Sequence, residues 1–250
     1  MNKFLSSAEL ALPNDTNSRT LASALVARVT ADIIEGKLVP GEKLRLPDLS
    51  ARYDCGISPL REALARLSST GLVEQEDQKG FRVSTVSRED LSDLTEVRTE
   101  IECLALRRSI ERGNVEWEAQ IVSAHHKLSR INYLSTPNSR ELSSGWEAAH
   151  QDFHLALVSA CQSRWLLQFR NILAQQTARY RRLIVTIGMG KRDVGEEHAA
   201  LLEAVIGRNA ERACDLIAAH FTKTAEIVLS ASDPKAKEKP RGRIGSAKSK

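Results

Sequence analysis

Between Pro40 and Val83 two short stretches with apolar periodicity are separated by Asp54-Cys55-Gly56, residues that favour a turn over continued helix. The first stretch is Pro47–Tyr53; the second is Ser58–Thr70, stopped by Gly71. Apart from the turn, Leu49, Tyr53, Ile57, Leu60, Leu64 and Leu67 recur at three- and four-residue steps, so both helices can bury one shared face. Ser58 is placed to cap the second helix, with Pro59 at its first position, where a missing N–H costs nothing. Two apolar runs, Leu72-Val73 and Phe81-Arg82-Val83, flank a polar tip that ends in Lys79-Gly80. Helix, turn, helix and β-wing in that order form a winged helix-turn-helix, which sets its second helix into the major groove of DNA.

The expected contacts follow from position. Ser58 and Arg61 stand off the apolar face near the start of the second helix, where an inserted helix meets base edges and phosphates. Arg45 lies just before the first helix and reaches the groove or backbone. Lys79 and Gly80, at the wing tip, offer a cation and an exposed N–H. Arg66 projects from another flank and reads as a solvated charge.

These residues resemble the DNA-binding domain of the GntR family of bacterial transcription regulators. The resemblance rests on Pro40-Gly41, Leu44, Leu49, Pro59-Leu60-Arg61-Glu62-Ala63-Leu64, Leu67, Gly71-Leu72-Val73 and Gly80-Phe81-Arg82-Val83. It implies that Arg45, Ser58, Arg61 and Gly80 hold DNA. Many members carry an arginine where this chain has Ile57, so their operators do not transfer to it.

Charge adds little to that argument. The formal net charge is +4, but the segment from Lys235 to Lys250 holds seven positives against Glu238, which leaves the rest at −2. Local placement of Arg and Lys therefore carries the case for DNA binding. The stretch 233–250 reads as a disordered basic tail and 1–17 as a loose arm. Cys55, Cys103, Cys161 and Cys214 form no CxxC pair and read as small packed side chains in a reducing cytosol. Cys55, in the turn, is where a redox-sensitive thiol would act. No apolar run reaches eighteen residues and no signal peptide is evident, so no membrane partner is expected and the location is cytoplasmic, on the nucleoid.

A helix over 19–36 precedes the winged domain, with Leu21, Leu25, Val29 and Ile33 on one stripe. After the wing, helices are expected at 87–112, 115–133, 140–162, 163–187, 192–206 and 210–231. The fold class is thus mainly α: a winged helix-turn-helix at 18–86 and an all-α six-helix bundle at 87–232.

Four of the six histidines fall in that bundle so that they can converge. His150 and His154 lie one turn apart on one helix; His198, early in the fifth helix, faces His220, late in the antiparallel sixth. Neutral imidazoles suit a divalent transition metal such as Zn or Ni. His125-His126 read as surface residues. The region resembles the FCD ligand-sensing domain of the FadR-like branch, many members of which bind a metal with an Asp and three His. That resemblance matches His154, His198 and His220 to the three histidines, and His150 to the Asp; Asp152 projects to another face.

The same resemblance implies a small carboxylate effector, held through the metal and by arginine. The candidates are Arg98 on the first bundle helix, and Arg179, Tyr180 and Arg182 on the fourth; Arg181 reads as solvated. The run Trp146–Arg182 is similar to a subgroup of carbon-starvation regulators that respond to glutarate-type dicarboxylates. The expected protein is a homodimeric, ligand-relieved repressor on an inverted repeat. Two alternatives stand beside it: a metal-dependent enzyme using the histidines, with Glu197 as the nearest base, and an architectural DNA-binding protein using its tail.

Overall fold

The computed structural model describes residues 15–76, 79–136, 139, 141–187 and 192–231; at 15–20, 182–187 and 231 it gives the backbone alone. The chain divides between Thr85 and Val86 into two compact units. The basic tail and most of the arm lie outside the described residues.

The first unit holds α1 (Asp15–Ile34), α2 (Leu46–Tyr53) and α3 (Ile57–Ser69) beside three strands, β1 (Lys43–Leu44), β2 (Val73–Glu76) and β3 (Gly80–Val83). The sheet is antiparallel in the order β1-β3-β2, with Leu44 opposite Phe81 and Val73 opposite Val83. β1 has two residues, too few to show alternation in a sequence. Leu25, Val29, Leu49, Leu60, Leu64 and Phe81 meet in one core. Leu21 is exposed and Ala22 takes its place in the α1 stripe. α1 also begins at Asp15, inside the stretch expected to be a loose arm.

Two expectations at the turn are corrected. α3 starts at Ile57, so its N-cap is Gly56, which supplies no side-chain hydrogen bond; Ser58 is the second helical residue and Pro59 the third. Proline stays harmless there because the third N–H also lacks an intrahelical partner. Ile57, expected in the core, is 46% exposed. It sits one turn before Leu60, past the edge of the packed face and against the open turn. That turn closes with Asp54 at φ +50. At the wing, Gly80 has φ +94, a conformation that strains any residue with a Cβ.

The second unit holds α4 (Arg88–Arg112), α5 (Val115–Ser129), α6 (Ser144–Val158), α7 (Arg164–Ile187), α8 (Val194–Ile206) and α9 (Ala210–Ala231). α4 packs against α6, α7 and α9. Ser87, Asn114, Ser143 and Asp193 each cap the following helix by accepting a backbone N–H three residues on. The cap at Ser143 explains why α6 begins later than expected: the preceding chain folds back, pairing Leu134 with Leu142. α6 then tightens into a 3-10 turn over Ser159–Cys161. Leu106, Ile121, Phe153, Leu201, Ile217 and Phe221 form the main core; Leu91, Tyr180 and Val228 belong to a smaller one.

Candidate functional site

The outer face of α3 carries Ile57, Ser58, Arg61 and Ala65, all exposed. Arg45, the N-cap of α2, and the wing residues Lys79 and Gly80 are exposed as well. Among the described residues the guanidinium groups of Arg45 and Arg61 have no ion-pair or hydrogen-bond partner, so both are available to an anion. Arg66 is not a free solvated charge: it pairs with Glu62, and its Nη1 donates to Ser23 Oγ at 3.1 Å. The uncapped start of α3 leaves backbone N–H groups and the positive end of the helix dipole toward solvent. Cys55 sits half-buried in the turn, and burial pushes its thiol up, away from the reactive thiolate.

In the second unit α6 presents His150 and His154, α8 His198 and α9 His220, and all four are buried. One ring nitrogen from each lies within 4.8 Å of the others. His150 Nε2 and His154 Nε2 are 3.1 Å apart. That matches the spacing of about 3.0–3.4 Å between adjacent nitrogens at metal–nitrogen bonds of about 2.1 Å. The Trp146 ring stacks on His150 at 4.6 Å, and Phe153 and Phe221 pack around the group.

Burial disfavours the charged imidazolium throughout. It holds His150 and His154 well below the ordinary histidine range, with neighbouring imidazoles adding to the effect. His198 is pushed down to about 2, chiefly by burial, and His220 to about 4, where burial outweighs the opposing hydrogen bond to Glu197. The cluster is therefore four neutral bases at pH 7. Among the described residues His150 Nδ1, His154 Nδ1 and His198 Nε2 have no hydrogen-bond partner. Four neutral imidazoles, three of them with a buried nitrogen left unpartnered, fit a divalent transition ion.

Buried ion pairs surround the histidines. Glu197 Oε2 accepts from His220 Nδ1 at 2.8 Å, and Arg192 clamps the same carboxylate. Burial raises the Glu197 carboxyl, but hydrogen bonds from His220 and Arg192 outweigh it and hold the group far below its usual range. Arg181 makes a two-point pair with Glu147, one turn before His150. Arg170 Nε donates to Glu102 Oε1 at 2.9 Å. Arg98 reaches that same oxygen only at 3.5 Å, from over the Phe221 ring at 3.9 Å. Its Nε and Nη1 have no hydrogen-bond partner among the described residues. Burial lowers Arg98 to about 9, against the pull of Glu102, so it stays charged at pH 7.

Arg181 is thus buried and paired rather than solvated. Nothing in its spacing separates it from an exposed arginine; the signal lies in Glu147 on another helix. Tyr180 commits its hydroxyl to Asp90 at 2.5 Å and to Ser87 at the start of α4. Arg179 is buried, with its guanidinium 5.9 Å from the Tyr180 ring. The Arg182 side chain lies outside the described residues. Asp152 is exposed on the outer face of α6. His126 is exposed as expected, but His125 is half-buried against Phe153.

A winged helix-turn-helix joined to a helical domain with a buried polar cluster defines a two-domain, DNA-binding transcription regulator. The chain belongs to the GntR family of bacterial regulatory proteins: the family pattern matches residues 21–83, and that of the FCD domain matches residues 93–223. It is 41% identical over 212 residues to the uncharacterized HTH-type transcriptional regulator BphR of Paraburkholderia xenovorans, covering 85% of this chain and 86% of that one. It is 37% identical over 205 residues to the HTH-type transcriptional repressor GlaR of Escherichia coli, covering 80% and 92%. Among solved structures, E. coli McbR/YncC shares the fold with a TM-score of 0.70 at 19% identity, over 85% of this chain and 99% of that one. A GntR regulator from Rhodococcus sp. RHA1 does so at 0.69 and 20% identity, over 86% and 100%. These families and relatives are transcription regulators, not enzymes, which sets aside the metal-dependent enzyme and the purely architectural protein.

Proposed function

We propose that the protein is a repressor whose operator affinity changes when a small dicarboxylate, of the glutarate type, binds in the helical domain beside a divalent metal. One observation carries this reading: four neutral imidazoles, with no acid among them, lie close to an arginine with two unpaired nitrogens. His150, His154, His198 and His220 would hold the ion, with Zn or Ni best suited to the donor set. The metal would supply a Lewis-acidic anchor for a carboxylate. No ligand cancels its charge, and Arg98 adds another buried cation, so the site favours a dianion over a neutral compound. Arg98 offers the second anchor; Arg179 and Arg182 are further candidates.

For DNA, Arg45, Ser58, Arg61, Lys79 and Gly80 form the proposed contact set, with α3 in the major groove. Two chains reading an inverted repeat need a self-complementary face. Val97 and Leu104 on α4, and Trp165 and Phe169 on α7, are exposed apolar residues on two helices that pack together, and they suit a homodimer contact. The effector shifts operator affinity by its own preference between two arrangements of the dimer. The repressor sense is supported by the name of the GlaR relative.

The test is a gel shift on DNA upstream of the protein's own gene, titrated with straight-chain dicarboxylic acids and their monoesters. Release by a diacid but not by its monoester is the expected result. Equal release by both would remove the two-anchor reading.

A further inference from the structure

The first residue of the recognition helix presents hydrocarbon where its neighbours present polar groups. Ile57 is 46% exposed at the start of α3 and contributes little to the core that Leu60, Leu64 and Leu67 share. It lies one turn before Arg61 on the exposed side of the helix. Beside it, exposed Pro47 and Ala51 of α2 line one shallow hollow with Ile57, to which Ser50 and Asp54 also contribute. Ile57, Pro47 and Ala51 thus give the tip an apolar ledge, and the β-branched Ile57 side chain has few rotamers to lose on binding.

A major groove offers such a ledge one partner among the base edges. Guanine, adenine and cytosine show hydrogen-bond donors and acceptors there, and only thymine adds a methyl group. An isoleucine set against the other bases would desolvate polar edges and return no hydrogen bond. We infer that Ile57 is a specificity-determining residue that reads the C5-methyl of a thymine in each half-site. The inference rests on the reading of α3 as the groove-inserted helix. Four residues of helix span about 6 Å. That is roughly two steps of about 3.4 Å along one strand, so the thymine lies within about two base pairs of the position read by Arg61.

Full-length protein and its Ile57→Ala variant are each used to select duplexes from a random-sequence library. Each thymine of the selected half-site is then replaced, one at a time, by deoxyuridine, which removes the methyl alone. For the unmodified protein one replacement weakens binding about three- to tenfold. Ile57→Ala binds more weakly and is indifferent to that replacement. Ile57→Arg moves the selected base from thymine toward guanine. Thermal unfolding of both variants, expected to match the parent because the side chain is exposed, separates a folding defect from a reading defect. The inference is overturned if no uridine weakens the unmodified protein, or if Ile57→Ala stays as sensitive. Failure to select any sequence would instead remove the groove reading of α3, and this inference with it.

Discussion

Glu197 Oε2 sits 2.8 Å from Nδ1 of His220. With the carboxylate held far below its usual range, it accepts, so His220 carries its proton on Nδ1 and leaves Nε2 as a bare lone pair. Arg192 Nη2 lies 3.2 Å from the same Nδ1 but has better acceptors in Glu197 Oε2 at 2.7 Å and the His220 carbonyl at 3.0 Å. A carboxylate that fixes a histidine tautomer is the usual outer support of a metal ligand. Glu197→Gln is therefore expected to weaken metal binding about 10- to 100-fold, measured by competition with a chromophoric chelator. Unchanged affinity would mean that Nε2 of His220 does not face the ion.

Protein purified without tag or chelator is expected to carry about one transition-metal ion per chain, as a four-nitrogen site predicts. Elemental mass spectrometry reads the stoichiometry. His154→Ala should lose the ion while DNA still binds. No ion, and none taken up on titration, would turn the imidazoles and Arg98 into direct ligands of an anion.

The metal-free protein should lose stability in mild acid. His220 is neutral in the folded state down to pH about 4, whereas an unfolded histidine takes its proton at about 6.5. Between those values the unfolded state binds more protons, so stability is complete above about 6.5 and falls as pH drops toward 4. His150, His154 and His198 shift in the same direction and add to the loss. Thermal unfolding across that range should show a falling midpoint, and His198→Asn, which removes one of the four groups, should make the fall shallower. A flat profile in the parent would mean that the cluster is open to water.

Arg98→Met separates stability from response. Glu102 keeps its closer partner Arg170 at 2.9 Å, so the substitution removes a buried cation without stranding a carboxylate. The metal-free melting temperature is expected to hold or rise. Dicarboxylate binding by calorimetry should weaken at least about tenfold, the scale of a lost charge-assisted contact. A large drop in melting temperature would instead make Arg98 a structural residue.

Arg61→Ala should abolish the specific gel shift and leave effector binding intact. Operator affinity of the unmodified protein should fall steeply with salt as phosphate contacts release counterions. Arg66→Ala, which breaks a pair with Glu62, should change affinity far less. Equal losses for the two variants would argue for a general electrostatic surface.

What the sequence made legible was whatever short-range pattern controls. The turn at Asp54–Gly56, the break at Gly113-Asn114 and the four-residue step from His150 to His154 each act within a few residues, and the helices fall close to their expected places. Ile57 misled because periodicity places a residue on a face and does not show where the core ends. Arg181 misled because its burial depends on Glu147, 34 positions away. The hold of Arg170 on Glu102 is more remote still, at a separation of 68 positions. Long-range charge pairing leaves no local mark, and neither does the burial that holds the four histidines neutral.

α4 begins at Arg88, three residues past the division at Thr85, and runs without interruption through Arg98 to Arg112. Ten residues of helix separate its first residue from Arg98, a span of about 15 Å. Under the proposed function, a ligand that pulls on Arg98 would pull on a stiff rod joined to the first unit through the short non-helical stretch 84–87. Rotation or sliding of this one helix would then carry the signal from Arg98 to that short link.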